Sequence, residues 1–369
     1  MIGPKAIIHL DRLVHNYHEI KKHVGDAPLM TVVKANAYGH GMVSIAQTLQ
    51  REGVNFFAVF TIEEAKKLRE NGIKGDILIF SRMNRSFVEE AADLKVTLIL
   101  SQKEDIDILQ DLFLRTHKRP KVHLKIDTGM TRLGIPYEDA ESILNDLMFS
   151  PEIDCEGIYS HFATADEGDP SYAKWQFNRF KNILKIVEKI ELPLKYRHFS
   201  NSGAILNLPE SKLDIMRVGM LLYGAYPSDE VPHSLNLKSV MEFVAPIVTV
   251  RKVKKDTFIS YGGKYKTDKD TNIGVIQCGF ADGFPRPWYM DGHVMYKGKK
   301  YKIAGRVCMD QLLVDFGDFV PQIDENVLLM GDGEDGLIKA EEIADNIEST
   351  PYVLFTAIGG RTERIFVGK

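Results

Sequence analysis

The feature that most constrains this chain is a series of short apolar runs, rich in β-branched residues, that alternate with stretches of helical period from residue 29 onward. Such alternation is the signature of a parallel sheet whose strands are joined by crossover helices. The runs fall at 29–34, 56–60, 76–81, 96–100, 121–127, 153–162, 195–200 and 213–218. Eight of them predict a closed (β/α)8 barrel of the TIM type, with an open doubly wound sheet as the alternative. No GxGxxG follows any run, so the dinucleotide-binding version of the open sheet has no support. Thr61 with Glu64, and Ser101 with Glu104, are spaced as capping boxes that would start the helix after a strand.

The Pro- and Ser-containing segment 227–238 ends the alternation. Beyond it, 243–254, 272–278 and 302–315 read as strands without long helices between them. Two domains follow: a barrel over 1–238 and a mostly β domain over 239–369. A chain of 369 residues with 44% hydrophobic and 27% charged side chains has enough material for both cores.

Charge narrows the partners. Lys plus Arg number 47 against 51 Asp plus Glu, a net −4, which leaves no broad basic surface for nucleic acid or anionic lipid. The opening MIGPKAIIHLDRL has neither the apolar core nor the cleavage site of a signal peptide, and no run approaches the ~18 apolar residues of a membrane span. Cys155, Cys278 and Cys308 are odd in number and lack CxxC spacing. The expectation is a cytoplasmic protein with reduced thiols, no metal, and small molecules or a second copy of itself as partners.

In a (β/α)8 barrel the active site lies at the carboxyl ends of the strands. The first run ends in Lys34, the fifth carries Lys125 and leads to Arg132, and the sixth reaches His161. The seventh gives His198 and then Asn201 and Ser202, and the eighth gives Arg217 and Gly219. Loops after the seventh and eighth strands commonly bind phosphate. A lysine buried beside such a site loses its charge readily and becomes a nucleophile, which points to a Schiff-base cofactor bearing an aldehyde and a phosphate. Each residue alone has a plainer reading: a solvated lysine, a hydrogen-bonded core histidine, a helix cap at Asn201 and Ser202, an arginine in an ion pair. Their shared barrel end favours the functional one.

These residues resemble the alanine racemases, a family of barrel-fold pyridoxal phosphate enzymes. VVKANAYGHG (32–41) resembles the cofactor-lysine motif, and the likeness runs in order through LKIDTGMTRLG, YSHFATAD, HFSNSGAIL, MRVGMLLYG, SYGGKY, GFADGFPR and GRVCMDQ. The resemblance implies a barrel followed by a β domain, in a homodimer with shared active sites. It implies that Lys34 holds the cofactor and serves as one acid/base, with Tyr261 from the partner subunit as the other. Tyr38, Ser202, Gly219 and Met220 match positions around the phosphate, with Asn201 and His161 beside the cofactor. Arg132 matches a residue near the cofactor's phenolic oxygen and the substrate carboxylate. Lys125 matches a lysine often carbamylated to anchor that arginine, and Met309 a backbone group that holds the carboxylate across the dimer. A chain from Tyr261 through His161 to Arg217 is implied, Arg217 facing the pyridine nitrogen.

Two positions depart from the pattern. Gly360 and Phe280 stand where a tyrosine is usual in the family, and the loss of a ring at Gly360 predicts a widened pocket. The expected reaction is interconversion of L- and D-alanine, the alternative a racemase preferring serine or a larger, for example basic, amino acid. A barrel-fold decarboxylase usually carries a glutamate at the position of Arg217. A non-catalytic pyridoxal phosphate carrier lacks a second domain, and a Schiff-base aldolase lacks the cofactor.

Overall fold

The computed structural model describes residues 3–368. Eight strands form one parallel sheet: Leu29–Val32, Phe56–Val59, Asp76–Arg82, Thr97–Leu100, Lys121–Asp127, Asp154–Tyr159, Tyr196–His198 and Met216–Val218. The last pairs in parallel with the first, Arg217 opposite Met30. The gap to Tyr196–His198 is crossed by backbone bonds from Asp214 to Arg197 (3.1 Å) and from Arg217 to Ser200 (3.2 Å). This is the barrel topology, and the return of the last strand to the first rules out the open sheet. Leu29–Val32, Phe56–Val59 and Thr97–Leu100 are buried at every residue, as strands covered on both faces must be.

The helices show why the chain alternates. Met42–Arg51 buries Met42, Ile45, Ala46 and Leu49 on one stripe and leaves Arg51 outside. At Thr61 the expected capping box forms, with the hydroxyl accepting from Glu64 N–H and the Glu64 carboxylate from Thr61 N–H. The second expected box does not form. Helix Glu104–Thr116 starts later, and Asp105 accepts from the Ser101 and Gln102 N–H groups at 2.8 and 3.0 Å. Asp105 is fully buried whereas Glu104 is exposed, so the shorter, enclosed carboxylate takes the amides.

The second layer is a nine-stranded sheet built on the long strand Met241–Val253. One of its strands comes from the start of the chain, within the expected 1–238 unit. Lys5–His9 pairs antiparallel with Met241–Val253 and parallel with Glu363–Val367, so the start of the chain belongs to the β domain. Helix Leu10–Val24 then crosses to the barrel and packs on Met42–Arg51. Near the other end, the short helix Pro351–Ala357 leans back onto the segment that follows the first barrel strand. No helix among the described residues is long and apolar enough to cross a membrane.

Candidate active site

A cavity of about 570 Å³ opens at the carboxyl end of the barrel. Lys34, Tyr38, Lys125, Arg132, His161, Asn201, Ser202, Arg217, Gly219 and Met220 all line it, each of them singled out in the sequence.

Lys34 owes its place to an unusual turn. Directly after it, Ala35, Asn36, Ala37 and Tyr38 all adopt positive φ, between 50° and 55°. Each left-handed non-glycine residue costs about 1–2 kcal/mol, so four in succession need support from outside the turn. Glu64 accepts from Ala35 N–H at 2.6 Å, Asn36 Oδ1 accepts from Met42 N–H at 3.0 Å, and Arg364 donates to Gly39 O. The Tyr223 hydroxyl donates to Val32 O at 2.9 Å, and its ring lies against Tyr38 and His40. The capping carboxylate of the next helix thus also holds the lysine turn. Burial, reinforced by Arg132 and opposed by Glu64, lowers the Lys34 pKa, which makes its amine more available as a nucleophile.

The ends of the seventh and eighth strands bring a hydroxyl and backbone amides together. Asn201 caps helix Ser202–Asn207 by accepting from Ala204 N–H at 2.9 Å, and Gly219 N–H donates to Ser202 Oγ at 3.2 Å. Tyr38 closes over Gly219, where a Cβ would come within 2.8 Å of the tyrosine oxygen. Only glycine lets that hydroxyl approach.

Arg217 forms the floor and is 3% exposed. It donates to His198 Nδ1 (2.8 Å), to the Ser160 and Phe199 carbonyls (both 2.9 Å) and to His161 Nδ1 (3.2 Å). Burial lowers its pKa to about 10, and it remains charged at neutral pH. His161 is held well below the usual histidine range by burial and by Arg217. It is therefore neutral. Because a guanidinium only donates, His161 carries its proton on Nε2. Burial, with Arg132 and Arg217, lowers Lys125 to about 8.

Tyr261, Met309, Phe280 and Gly360 do not reach this cavity. Tyr261 and Met309 are 65% and 55% exposed and share a shallow groove on the β domain with Ser260 and Cys308. Phe280 joins them through its N–H to Cys308 O at 3.1 Å. Gly360 sits on an exposed turn with nothing within 4 Å of an added Cβ. Its neighbour Arg361 bridges Asp282 (3.0 Å) and Asp310 (2.8 Å), tying that turn to the Tyr261 face.

Sequence reasoning missed several residues of the cavity wall. Phe60 and Phe80 line it from the second and third strand ends, and Tyr352, Val353 and Thr356 from helix Pro351–Ala357. Tyr159 lines it too, and its buried hydroxyl has no hydrogen-bond partner. The aromatic residues at strand ends carried a signal, since such positions point into the site. Helix Pro351–Ala357 carried none, because it arrives from the far end of the chain.

Fold and cavity together define a (β/α)8-barrel enzyme of the lysine-centred, phosphate-cradling class, with a β domain packed at its side. The chain belongs to the alanine racemase family. Residues 8–227 match the family's "Alanine racemase, N-terminal domain" and 240–366 its "Alanine racemase, C-terminal domain". It is 41% identical over 365 residues to the alanine racemase of Carboxydothermus hydrogenoformans, covering 98% of this chain and 99% of that one. Among solved structures it is similar to the alanine racemase of Clostridium difficile 630 (TM-score 0.93, 34% identity), covering 100% of this chain and 96% of that chain. It is also similar to the Bartonella henselae alanine racemase with covalently bound pyridoxal phosphate (TM-score 0.89, 27% identity, both chains covered in full).

Proposed function

We propose that this chain interconverts L- and D-alanine with pyridoxal phosphate held on Lys34. The observation that carries the reading is the convergence of Lys34, Arg132, His161, Ser202, Arg217 and Gly219 on one cavity. The residues fit the cofactor: an amine of lowered pKa for its aldehyde, the Ser202 and Gly219 corner with the Tyr38 hydroxyl for its phosphate, and Arg217 for its ring nitrogen. Once bound, that group supplies an electron sink that acidifies the amino acid's Cα–H.

Lys34 Nζ takes or returns the proton on one face. Tyr261 serves the other face from a partner subunit, where its 65% exposed ring on the β domain is free to meet a second cavity. A neutral phenol is a weak base, so Tyr261 needs a donor that stabilises its oxyanion. His161 Nε2–H, fixed in that tautomer by Arg217, is such a donor. Arg132 binds the substrate carboxylate, helped by the Met309 backbone, and Lys125 as its carbamate anchors Arg132. Arg217 keeps its own protons, so it would hold the cofactor's ring nitrogen by donating a hydrogen bond without giving up a proton, a setting that would favour return of the Cα proton over decarboxylation. The odd number and wide spacing of Cys155, Cys278 and Cys308 suit a cytoplasmic, reducing location.

Alanine is the favoured substrate, given the names of the relatives. Gly360 lies with the Tyr261 face, so its influence on specificity acts across the dimer. The test is a chiral assay of the purified protein with cofactor, comparing kcat/KM for alanine, serine, lysine and arginine in wild type and Gly360→Tyr. Alanine should lead in both, and Lys34→Ala should lose racemisation together with the visible absorption of the bound cofactor. A preference for serine or a basic amino acid would refute the substrate, and release of carbon dioxide would point to the decarboxylase.

A further inference from the structure

Beneath the cavity floor, four buried polar side chains run in line through the barrel interior. Arg217 Nη1 lies 2.8 Å from His198 Nδ1, His198 Nε2 lies 2.9 Å from His123 Nδ1, and His123 Nε2 lies 3.8 Å from Glu156 Oε1. Both histidines are wholly buried, and the Glu156 side chain is 10% exposed. The line descends from the carboxyl end of Met216–Val218 toward the amino end of Asp154–Tyr159. The fold makes room for it. A Cβ on Gly157 would lie 2.6 Å from the His123 ring, and Tyr159 stacks on His198 at 4.6 Å with the rings 8° apart.

The direction of this line follows from chemistry. A guanidinium has no acceptor, so His198 must accept at Nδ1, which leaves its single proton on Nε2. That proton is donated to His123 Nδ1, and His123 therefore carries its own on Nε2, aimed at Glu156. Burial, with the Arg217 charge beside His198, keeps both rings neutral, as a relay of single protons requires. Burial alone would raise the Glu156 pKa, but His123 and Lys121, the latter at 3.2 Å, bring it below the usual carboxylate value. At 3.8 Å the last link is a contact between the carboxylate and the dipole of a neutral ring, longer than a hydrogen bond, and both of its atoms are otherwise without a partner.

Arg217 is a buried cation whose partners among the described residues are two ring nitrogens and two carbonyls, none of them charged. The first anion along its contacts is Glu156. We propose that Glu156 is a positioning residue: along a relay whose direction Arg217 sets, its charge draws the His123 and His198 protons toward itself and so supports the charge and orientation of Arg217 at the cavity floor. Polarised hydrogen bonds in a low-dielectric interior transmit such an effect over several groups. The consequence for catalysis rests on the reading of Arg217 as the partner of the cofactor nitrogen; the relay itself does not.

The experiment is ¹⁵N solid-state NMR of the sedimented intact apoprotein labelled at histidine, with His123→Gln and His198→Gln samples to assign the two rings. In the wild type both should be neutral, protonated on Nε2 and bare on Nδ1. Glu156→Gln keeps the shape and removes the anion; both rings should keep the Nε2 tautomer that Arg217 sets while the ¹⁵N shift of His123 Nε2 moves, and in the holoenzyme kcat should fall about tenfold with KM for alanine little changed. Lys121→Met removes the surface partner of Glu156 and should leave tautomers and kcat as they are. A proton on His198 Nδ1 in the wild type overturns the proposal. So does an unchanged His123 ¹⁵N shift in Glu156→Gln, even with a lower melting temperature, because that would be a purely structural effect. A His123 shift that moves while kcat holds upholds the relay and counts against the placement of Arg217 at the cofactor.

Discussion

Two lysines at strand ends, Lys34 and Lys125, illustrate how far a residue's chemistry depends on its surroundings. Both lose the water that would stabilise their charge, and both face Arg132. For Lys125 the pKa falls to about 8, against about 10.4 in an unfolded chain. Between those values the unfolded chain holds more protons than the folded one, so stability rises with pH across that window. Below about 8 the buried amine is charged in both states and its full penalty remains. In thermal melts of apoprotein in carbon dioxide-free buffer, Lys125→Met should therefore flatten the rise in Tm between pH 8 and 10 and raise Tm at pH 7. An unaltered slope in the variant would mean that the amine is better solvated than its 7% exposure implies. That these lysines matter was legible in the sequence from their position at the ends of apolar runs. That Tyr159 and Phe80 face them was not, because alternation along a strand gives two faces without saying which one turns inward.

The strands at 29–34, 56–60, 76–81 and 96–100 were legible as elements because most of their residues are apolar and must be buried on both sides, and the later four from their place in the same alternation. Lys5–His9 was not, since its alternating burial gains meaning only from partners at Met241–Val253 and Glu363–Val367, more than 230 positions away. The left-handed turn after Lys34 was equally hidden. Nothing in Ala35-Asn36-Ala37-Tyr38 favours positive φ apart from the asparagine; distant groups impose it. Glu64 links that turn to the following helix, accepting from Ala35, Phe60 and Thr61 N–H groups. Thr61→Ala should cost about 1 kcal/mol, the usual loss of a cap. Glu64→Ala should cost about 2–3 kcal/mol, because it also abandons the amide of the strained turn, and it should weaken cofactor retention. Denaturant unfolding and a cofactor titration of the two variants measure both effects. Equal losses for the pair would show that the turn holds itself.

At the scale of the whole molecule, one chain presents a cavity with Lys34 and, elsewhere, an exposed face with Tyr261 and Met309. If a two-fold dimer joins one to the other, each defective variant supplies what the other lacks. Lys34→Ala and Tyr261→Phe, each inactive alone, should regain roughly a quarter of wild-type activity after mixed refolding, the statistical share of intact sites in a symmetric dimer. No recovery would mean that each site is built from a single chain. The sequence by itself determined the number and order of the barrel strands, the lysine at the first strand end and the family, because apolar runs and contiguous motifs are local information. Tertiary structure alone decided that the chain's start joins the β sheet, that helix Pro351–Ala357 walls the cavity, that Gly360 lies outside it, and that Arg217 stands at the head of a buried relay to Glu156. Those facts rest on contacts between segments far apart in the chain, and the closing of the barrel and the packing of the second sheet against it bring them about.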